Sequence, residues 1–483
     1  MTPTAEQLAI VEAARSTSDN LLISALAGAA KTSSLVLIAE ALPETKILCL
    51  AFNKKIAIEM QERLPSNCKA MTLNALGHRT WMDAIGRRLR IESSKTYNIV
   101  SELINEKPSA DRSSLFERMA ELMRLVDFGK ACGYVPSGHY DRAKRLMGDE
   151  DFFAHLDERL SPAEEDLIRD ATLRSLKQAF DGLCDFNDQI LMPTVFHGAF
   201  PRYPLILVDE AQDLSALNHA TLRKLVGTRR LIAVGDQCQA IYGFRGAHED
   251  GMAKLRNDFS MREMTLSISF RCPQRIIEHV HWRAPHMKWP EWAKPGLVEH
   301  LDTWSAADLA EDGVIICRNN APLFGIAIRL LKNGRTCELD GKDIIQSITK
   351  VMRKFGSSDM RQVDVLDRIN AWCLAEKEKN KKRAHNRIDD RAECMRIFAR
   401  QGEDLGAALA YAQHLMNLHS PLKLMTGHKS KGLEFNHVYF LDNHLVGEEE
   451  QDPNLRYVIA TRAKETLTYI NSEDFIDEQK DAA

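Results

Sequence analysis

An α/β fold on two parallel sheets with helical insertions is predicted by three observations. Short apolar, β-branched runs alternate with helix-length segments, the runs fall into two sets, and two long stretches carry none of them. The first set is Leu21-Leu-Ile-Ser-Ala25, Lys46 to Phe52, Leu205-Ile-Leu-Val-Asp209, Arg230 to Asp236 and Glu263 to Ile268. The second is Gly313 to Arg318, Lys423-Leu-Met-Thr426, His437 to Asp442 and Thr466 to Ile470. Runs that are apolar throughout fit strands covered on both faces, as in parallel sheets with crossover helices. Between Trp81 and Pro201 the spacing is helical, as at Leu115-Phe116, Met119, Leu122-Met123 and Leu125-Val126. A second helical, charged stretch runs from Ile344 to His419. Residues 1–80 with 202–275 are therefore expected to form a first core, 81–201 its insertion, 276–343 with 420–483 a second core, and 344–419 a small insertion into it.

Composition narrows the class. A chain of 483 residues exceeds one small module and has room for an enzyme. Lys and Arg number 64 against 68 Asp and Glu, a formal charge of -4, which excludes attachment to nucleic acid or membrane by bulk charge alone and leaves a local basic groove open. The 10 cysteines include no C-x-x-C pair and no Cys/His cluster at zinc spacing, so reduced thiols in a cytosol-like compartment are expected. Neither a signal-peptide pattern nor an apolar run of ~18 residues occurs, so a cytoplasmic chain without a membrane span is expected.

After the first strand, Ser24-Ala-Leu-Ala-Gly-Ala-Ala-Lys-Thr-Ser-Ser-Leu35 is a strand-to-helix loop of small residues. Phosphate binding needs inward N–H groups, a helix N-terminus, a lysine for the outer phosphates and a hydroxyl for Mg²⁺. Ala27, Gly28, Ala29, Ala30, Lys31, Thr32 and Ser33 supply that set. A strict G-x-x-x-x-G-K-T would place Gly at Ala25 and Ala30; if the backbone at Ala30 takes a positive φ, alanine costs ~1 kcal/mol. By itself the segment fits an Ala-rich helix start with a solvated lysine equally well.

A second signal weighs against the bland reading. Four apolar residues end in Asp209-Glu-Ala-Gln-Asp213, placing adjacent carboxylates at the C-terminal edge of a parallel strand, where ligands bind. Asp209 is positioned to hold Mg²⁺ with Thr32, and Glu210 to orient or deprotonate a water attacking a γ-phosphate.

These residues, with further motifs in order from Gln7 to Arg462, resemble the UvrD/Rep/PcrA family of superfamily 1 DNA helicases. The resemblance implies two RecA-like domains of the P-loop NTPase class, with ATP and Mg²⁺ as cofactors. Thr4-Ala-Glu-Gln7 is similar to the motif whose glutamine reads adenine, and Ser33 stands where many members carry an arginine near the base. Ala51 to Met60 and Met71 to His78 resemble two DNA-contact motifs, making Phe52, Thr72 and Asn74 candidates, with Asn74 in place of the customary histidine. A core aromatic at a strand end is the other reading of Phe52. Asp185-Phe-Asn-Asp188 resembles an acidic family segment whose role stays open beside a simple helix cap.

Val234 to Ala247 is the most family-specific run, and its likeness implies that Gln239 senses the γ-phosphate while Tyr242 and Phe244 line a DNA track. Aromatic faces stack any base, so they grip a strand without reading sequence. Ser269-Phe-Arg-Cys272 is similar to an N-Y-R-S motif, with Phe270 for stacking on adenine and Arg271 for phosphate. Thr426 to Phe435 matches the H-x-x-K-G-L-E-F pattern, which implies ribose contact by Glu434 and DNA contact by His428 and Lys429. In Tyr457 to Ala463, Arg462 stands where the family has its arginine finger.

The resemblance implies a 3′ to 5′ single-stranded DNA translocase and helicase, acting on single strands and on junctions with duplex, as a monomer when isolated. Only 21 residues follow Arg462, which argues against a fused nuclease at that end. The basic cluster Lys377, Lys379, Lys381, Lys382, Arg383, Arg387 and Arg391 admits duplex contact or a solvated helix face. Two other functions stay open: a DNA-stimulated ATPase subunit that regulates a partner such as a nuclease, and a binding module with a decayed ATPase. The second is suggested by Ala30 and opposed by the intact Lys31, Thr32, Glu210, Gln239, Arg271 and Arg462.

Overall fold

The structure is a computed structural model that describes residues 2–241, 250–447 and 451–477. The chain divides into two compact units, Met1–Leu156 with Leu160–Ser267, and Asp157–Arg159 with Ile268–Ala483.

In the first unit the strands are β1 (Leu21–Ala25), β2 (Ile47–Ala51), β3 (Cys68–Thr72), β4 (Arg90–Ile91), β5 (Leu183–Cys184), β6 (Leu205–Val208), β7 (Arg230–Gly235) and β8 (Arg262–Leu266). Among the described residues, six of them form one sheet in the order β3-β2-β6-β7-β1-β8, parallel throughout. The short pair β4 and β5 stands apart. Alternation along each strand fills two cores. Ile23, Cys49 and Leu207 pack on one face with Leu35 and Ile38, while Leu22, Leu48, Ile206 and Val208 pack on the other with Leu222 and Leu225. From β1 the chain crosses β7 and β6 to reach β2, and from β7 it crosses β1 to reach β8. That reversal opens a crevice at the strand C-termini, where the loops after β1, β6 and β7 meet. Helices between β3 and β6 pack around separate cores centred on Tyr134 and Phe152, and on Trp81 and Leu176.

In the second unit β9 (Leu297–His300), β10 (Val314–Cys317), β11 (Glu338–Leu339), β12 (Lys423–Thr426), β13 (Phe435–Leu441) and β14 (Ala463–Ile470) form a parallel sheet in the order β11-β12-β10-β13-β14-β9. The helices Gln362–Lys379, His385–Ala399 and Leu405–Met416, between β11 and β12, share one core with the sheet: Ile369, Phe398 and Ala412 belong to the same cluster as Ile315 and Leu424. Within the basic cluster, Lys377 pairs with Asp389, Lys379 with Glu376, and Arg391 lies over the Trp372 ring. The α/β class with two parallel sheets and intervening helices is the class expected from the strand pattern.

Candidate nucleotide site and nucleic-acid interface

β1 delivers the chain into a tight loop and then into the helix Lys31–Glu40. Gly28 (φ 73°) and Ala30 (φ 55°) both adopt left-handed backbone. Ala27 and Ala29 are buried, so larger side chains have no room there. Ala30 caps the helix in the left-handed region, at an alanine's cost of ~1 kcal/mol relative to glycine.

Lys31, the first residue of that helix, donates from Nζ to Glu210 Oε2 at 3.0 Å. Thr32 Oγ1 donates to Asp209 Oδ2 at 2.8 Å. Asp209 and Glu210 follow β6 directly, and Glu210 is itself left-handed (φ 51°), which turns its carboxylate out of the strand line. Burial works against the Lys31 ammonium, but Glu210, Asp236 and Asp209 outweigh it and hold the group above its ordinary range. Burial, reinforced by the Glu210 charge, pushes Asp209 up to about 6. Burial also raises Asp236, which follows β7 and accepts from Gln239 Nε2 at 2.6 Å. Gln212 links the two strand ends: its Nε2 donates to Glu210 Oε2 at 2.5 Å and its Oε1 accepts from the Asp236 N–H at 2.9 Å.

Gln7 lies in the first turn of Ala5–Ser16 and forms a capping box with Thr4. Its Oε1 accepts from the Thr4 N–H at 3.0 Å and its Nε2 donates to Ser34 Oγ at 3.1 Å, tying that amide to the phosphate-loop helix. Ser33 Oγ accepts from the Arg63 guanidinium at 2.8 Å.

Among the DNA-contact candidates, Phe52 is 46% exposed at the end of β2, so the core reading of that ring does not hold. Thr72 caps the helix Leu73–Ile85, its hydroxyl accepting from the Ala75 N–H at 3.2 Å. Asn74 Nδ2 donates to the Phe186 carbonyl at 2.8 Å. Phe52, Asn74, Phe186, Asn187 and Asn218 line a pocket of about 170 Å³. Tyr242 and Phe244 lie outside the described residues.

In the second unit, Phe270 stacks against Trp292 with ring centroids 6.3 Å apart. Arg271 Nη2 and Nε reach Glu434 Oε1 at 2.6 and 2.7 Å, so the groups expected on phosphate and ribose are paired with each other. Arg462 is 1% exposed and donates to the carbonyls of Val458 and Leu433 at 2.8 and 3.2 Å. Burial and the nearby Arg271 charge lower it to about 10, which leaves it cationic at neutral pH. His428 and Lys429 follow β12 on the turn Gly427–Ser430, and Lys429 Nζ reaches Asp343 at 2.7 Å and Asp340 at 3.5 Å.

The UvrD/REP helicase N-terminal domain matches residues 4–260, more than half of the chain, and the UvrD-like helicase C-terminal domain matches residues 421–470. The chain belongs to the UvrD/REP helicase family. It is similar to F-box DNA helicase protein 1 of Schizosaccharomyces pombe, at 26% identity over 58% of this chain and 32% of that protein. It is also similar to two Escherichia coli proteins: DNA helicase II, at 26% identity over 55% of this chain and 38% of that protein, and DNA helicase IV, at 31% over 54% and 44%. The chain thus spans about a third to under a half of the length of these curated relatives.

In this UvrD/REP family chain, Thr32 and Asp209 set a hydroxyl and a carboxylate oxygen side by side, a hard-oxygen donor pair that suits Mg²⁺ with water and phosphate filling the remaining positions. No group of three or more His, Cys, Asp or Glu forms a further metal cluster among the described residues. No helix among them is long and apolar enough to cross a membrane. Three residues join this family member's candidate sites without having been assigned a role from the sequence. Asp236 and Gln212 lie inside quoted motifs, and Phe186 lies inside the acidic run; an aromatic between two aspartates is the signal that marks it.

Proposed function

We propose that the chain is an ATP-dependent single-stranded DNA translocase and DNA helicase. The observation that carries the reading is the meeting of Lys31, Thr32, Asp209 and Glu210 at the strand C-termini of the first sheet. An exposed aromatic pocket on the same unit supports the choice of a polynucleotide as the second substrate.

Loop N–H groups and Lys31 bind the phosphates of ATP, and Thr32 with Asp209 holds Mg²⁺. The ion, when bound, neutralises charge on the β- and γ-phosphates. Glu210 orients the attacking water and takes its proton as the bond from the γ-phosphorus to the bridging oxygen breaks, releasing ADP and phosphate. Gln239, held by Asp236, senses the γ-phosphate. Gln7 and Phe270 hold adenine, Glu434 the ribose, and Arg271 and Arg462 stabilise charge on the transferred group. Phe52, Thr72, Asn74, Phe186, His428 and Lys429 grip the strand, and family likeness alone adds Tyr242 and Phe244 as DNA contacts. Hydrolysis that changes the grip of one unit relative to the other converts turnover into stepping. The 3′ to 5′ direction and a role in repair, replication or recombination rest on family likeness. A cytoplasmic setting, in a bacterial or phage context, is part of the same proposal.

The test is ATP turnover with and without single-stranded DNA, then unwinding of duplexes tailed at either end, for the unaltered chain, Lys31→Ala and Glu210→Gln. Stimulated turnover with unwinding only of 3′-tailed duplex is expected, and both variants are expected to be inactive. Stimulated turnover without strand separation would instead favour a DNA-sensing ATPase subunit. Unchanged turnover in both variants would end the mechanism.

A further inference from the structure

The run Asp185-Phe186-Asn187-Asp188 is built around a buried charge cluster. Asp185 Oδ1 accepts from the backbone N–H groups of Asn187 and Asp188, both at 3.0 Å, and Asp188 Oδ2 accepts from the Asp185 N–H at 2.9 Å, so the two carboxylates close one turn reciprocally. Two lysines reach that turn from other helices: Lys95 begins Lys95–Glu106 and Lys130 lies in the last turn of Met119–Cys132. Both lysine side chains are 0% exposed. Lys95 Nζ meets Asp188 Oδ2 at 2.6 Å and the Ser175 carbonyl at 2.8 Å. Lys130 Nζ meets Asp188 Oδ1 at 3.2 Å, Ser175 Oγ at 3.0 Å and the Asp185 carboxylate.

Burial works against the Lys130 ammonium, but Asp188 and Asp185 more than offset it and keep the group charged. Taking four charges out of water is expensive, and well-packed apolar side chains often stabilise a fold as well or better. Stability alone therefore gives a weak reason for the cluster. What the apolar alternative lacks is direction: Lys95 fixes Asp188, Lys130 bridges Asp188 and Asp185, and through those carboxylates one backbone turn is held. On the outer side of that turn the Phe186 ring is 66% exposed, its carbonyl accepts from Asn74, and the ring shares a pocket with Phe52 and Asn187.

We propose that Lys95 and Lys130 are positioning residues for DNA binding: anchored in the helices between β3 and β6, they hold the 185–188 turn so that Phe186 stays in the pocket with Phe52 and Asn74. This rests on the reading of that pocket as a single-strand contact. It makes the helical insertion a determinant of strand affinity through residues that never meet the strand.

The test uses the full chain and a labelled oligothymidylate, reading its Kd, the KM for ATP without DNA, and the urea unfolding midpoint. The paired variant Lys130→Met with Asp185→Asn removes the charges and keeps an oxygen to accept from Asn187 and Asp188. Lys95→Met with Asp188→Asn does the same on the other side and carries the test if the first pair does not fold. In a folded pair, the Kd is expected to rise about tenfold with the KM for ATP unchanged. Phe186→Ala alone is expected to raise it similarly, and adding Phe186→Ala to the pair to give little more, since both act through one ring. A folded pair that binds the oligonucleotide normally while Phe186→Ala weakens binding overturns the positioning role and leaves the pocket reading intact. Normal binding by Phe186→Ala and by Phe52→Ala overturns both.

Discussion

Lys31 and Glu210, 179 positions apart in sequence, are joined by an ion pair of 3.0 Å between the start of a helix and the end of a strand. The lysine faces three carboxylates, Glu210, Asp236 and Asp209, of which the two aspartates are almost wholly buried. Replacing it by methionine strands those charges, and breaking one side of a largely buried pair costs about 3 kcal/mol. Lys31→Met is therefore expected to lower the denaturant midpoint as well as to abolish ATP turnover. An inactive variant with an unchanged midpoint would show that the ammonium contributes to catalysis without neutralising the cluster.

Asp209, raised to about 6, gives that cluster a pH signature. The folded state binds the Asp209 proton more tightly than the unfolded chain does. Its contribution to stability is thus fully present below about pH 4 and is lost as pH rises through about 6, an effect of roughly 3 kcal/mol. Asp209→Asn is expected to flatten the stability profile over that window in chemical unfolding. Because a cation is held by the ionised carboxylate, the Mg²⁺ concentration needed for half-maximal turnover is expected to climb as pH falls below about 6.

Ala30 and Glu210 share a left-handed backbone, yet only the alanine can be relieved without removing a functional group. Ala30→Gly is expected to raise unfolding stability by about 1 kcal/mol, and Gly28→Ala to lower it by at least as much. Denaturant titration of the two variants separates them by sign. Tighter ATP binding by Ala30→Gly would show that the same strain also loosens the phosphate loop.

How much of this was legible in the chain depends on where each residue lies. Strands such as β1, β2, β6, β7 and β10 were visible because they are covered on both faces, so every position is free to be apolar. β3, β9 and β11 were not, and all three are sheet edges; β3 and β9 mix polar with apolar residues, and β11 is two residues long. The phosphate loop and the Asp209-Glu210 pair were legible as residue types at fixed spacing, because the chemistry demands them. Gln212 was not, because its role is to connect two strand ends that only the sheet order brings together. In the acidic run the cap is part of what is seen: Asp185 and Asp188 close a turn, and their charged partners, Lys95 and Lys130, lie 55 or more positions away, where no local spacing signals them.

Arg462 starts from a position of restraint. Its guanidinium is held by the carbonyls of Val458 and Leu433 and by Thr461 Oγ1, so a phosphate meets a buried group whose orientation is already fixed by three bonds. Arg462→Ala is expected to lower kcat about a thousandfold or more, the scale of an arginine finger, with a smaller change in KM. Loss of the donors also takes the guanidinium from the Leu433 carbonyl, costing about 1–3 kcal/mol, while the Val458 carbonyl keeps the Thr461 hydroxyl. Arg462→Lys is expected to recover part of that stability and little of the rate, since a point charge does not reproduce the planar fork. A lysine variant with near-normal kcat would assign the residue a structural role.

Lys429 carries an opposing restraint that can be lifted selectively. Burial works against the Asp343 carboxylate, but Lys429 holds it below its ordinary range, and Asp340 stands near the same ammonium. An exposed pair of this kind is worth about 0.2–1 kcal/mol, so freeing the lysine changes affinity by a factor of roughly 1.5 to 5. Asp343→Asn is expected to tighten oligothymidylate binding by that factor at low salt, and the gain is expected to fade near 0.5 M salt, where the Debye length is only about 4–5 Å. The deciding comparison is the same change in a Lys429→Ala background. If Asp343 acts by competing for the lysine, its removal does nothing once the lysine is gone. If the gain persists there, Asp343 repels the strand directly, and Lys429 is not the group it restrains.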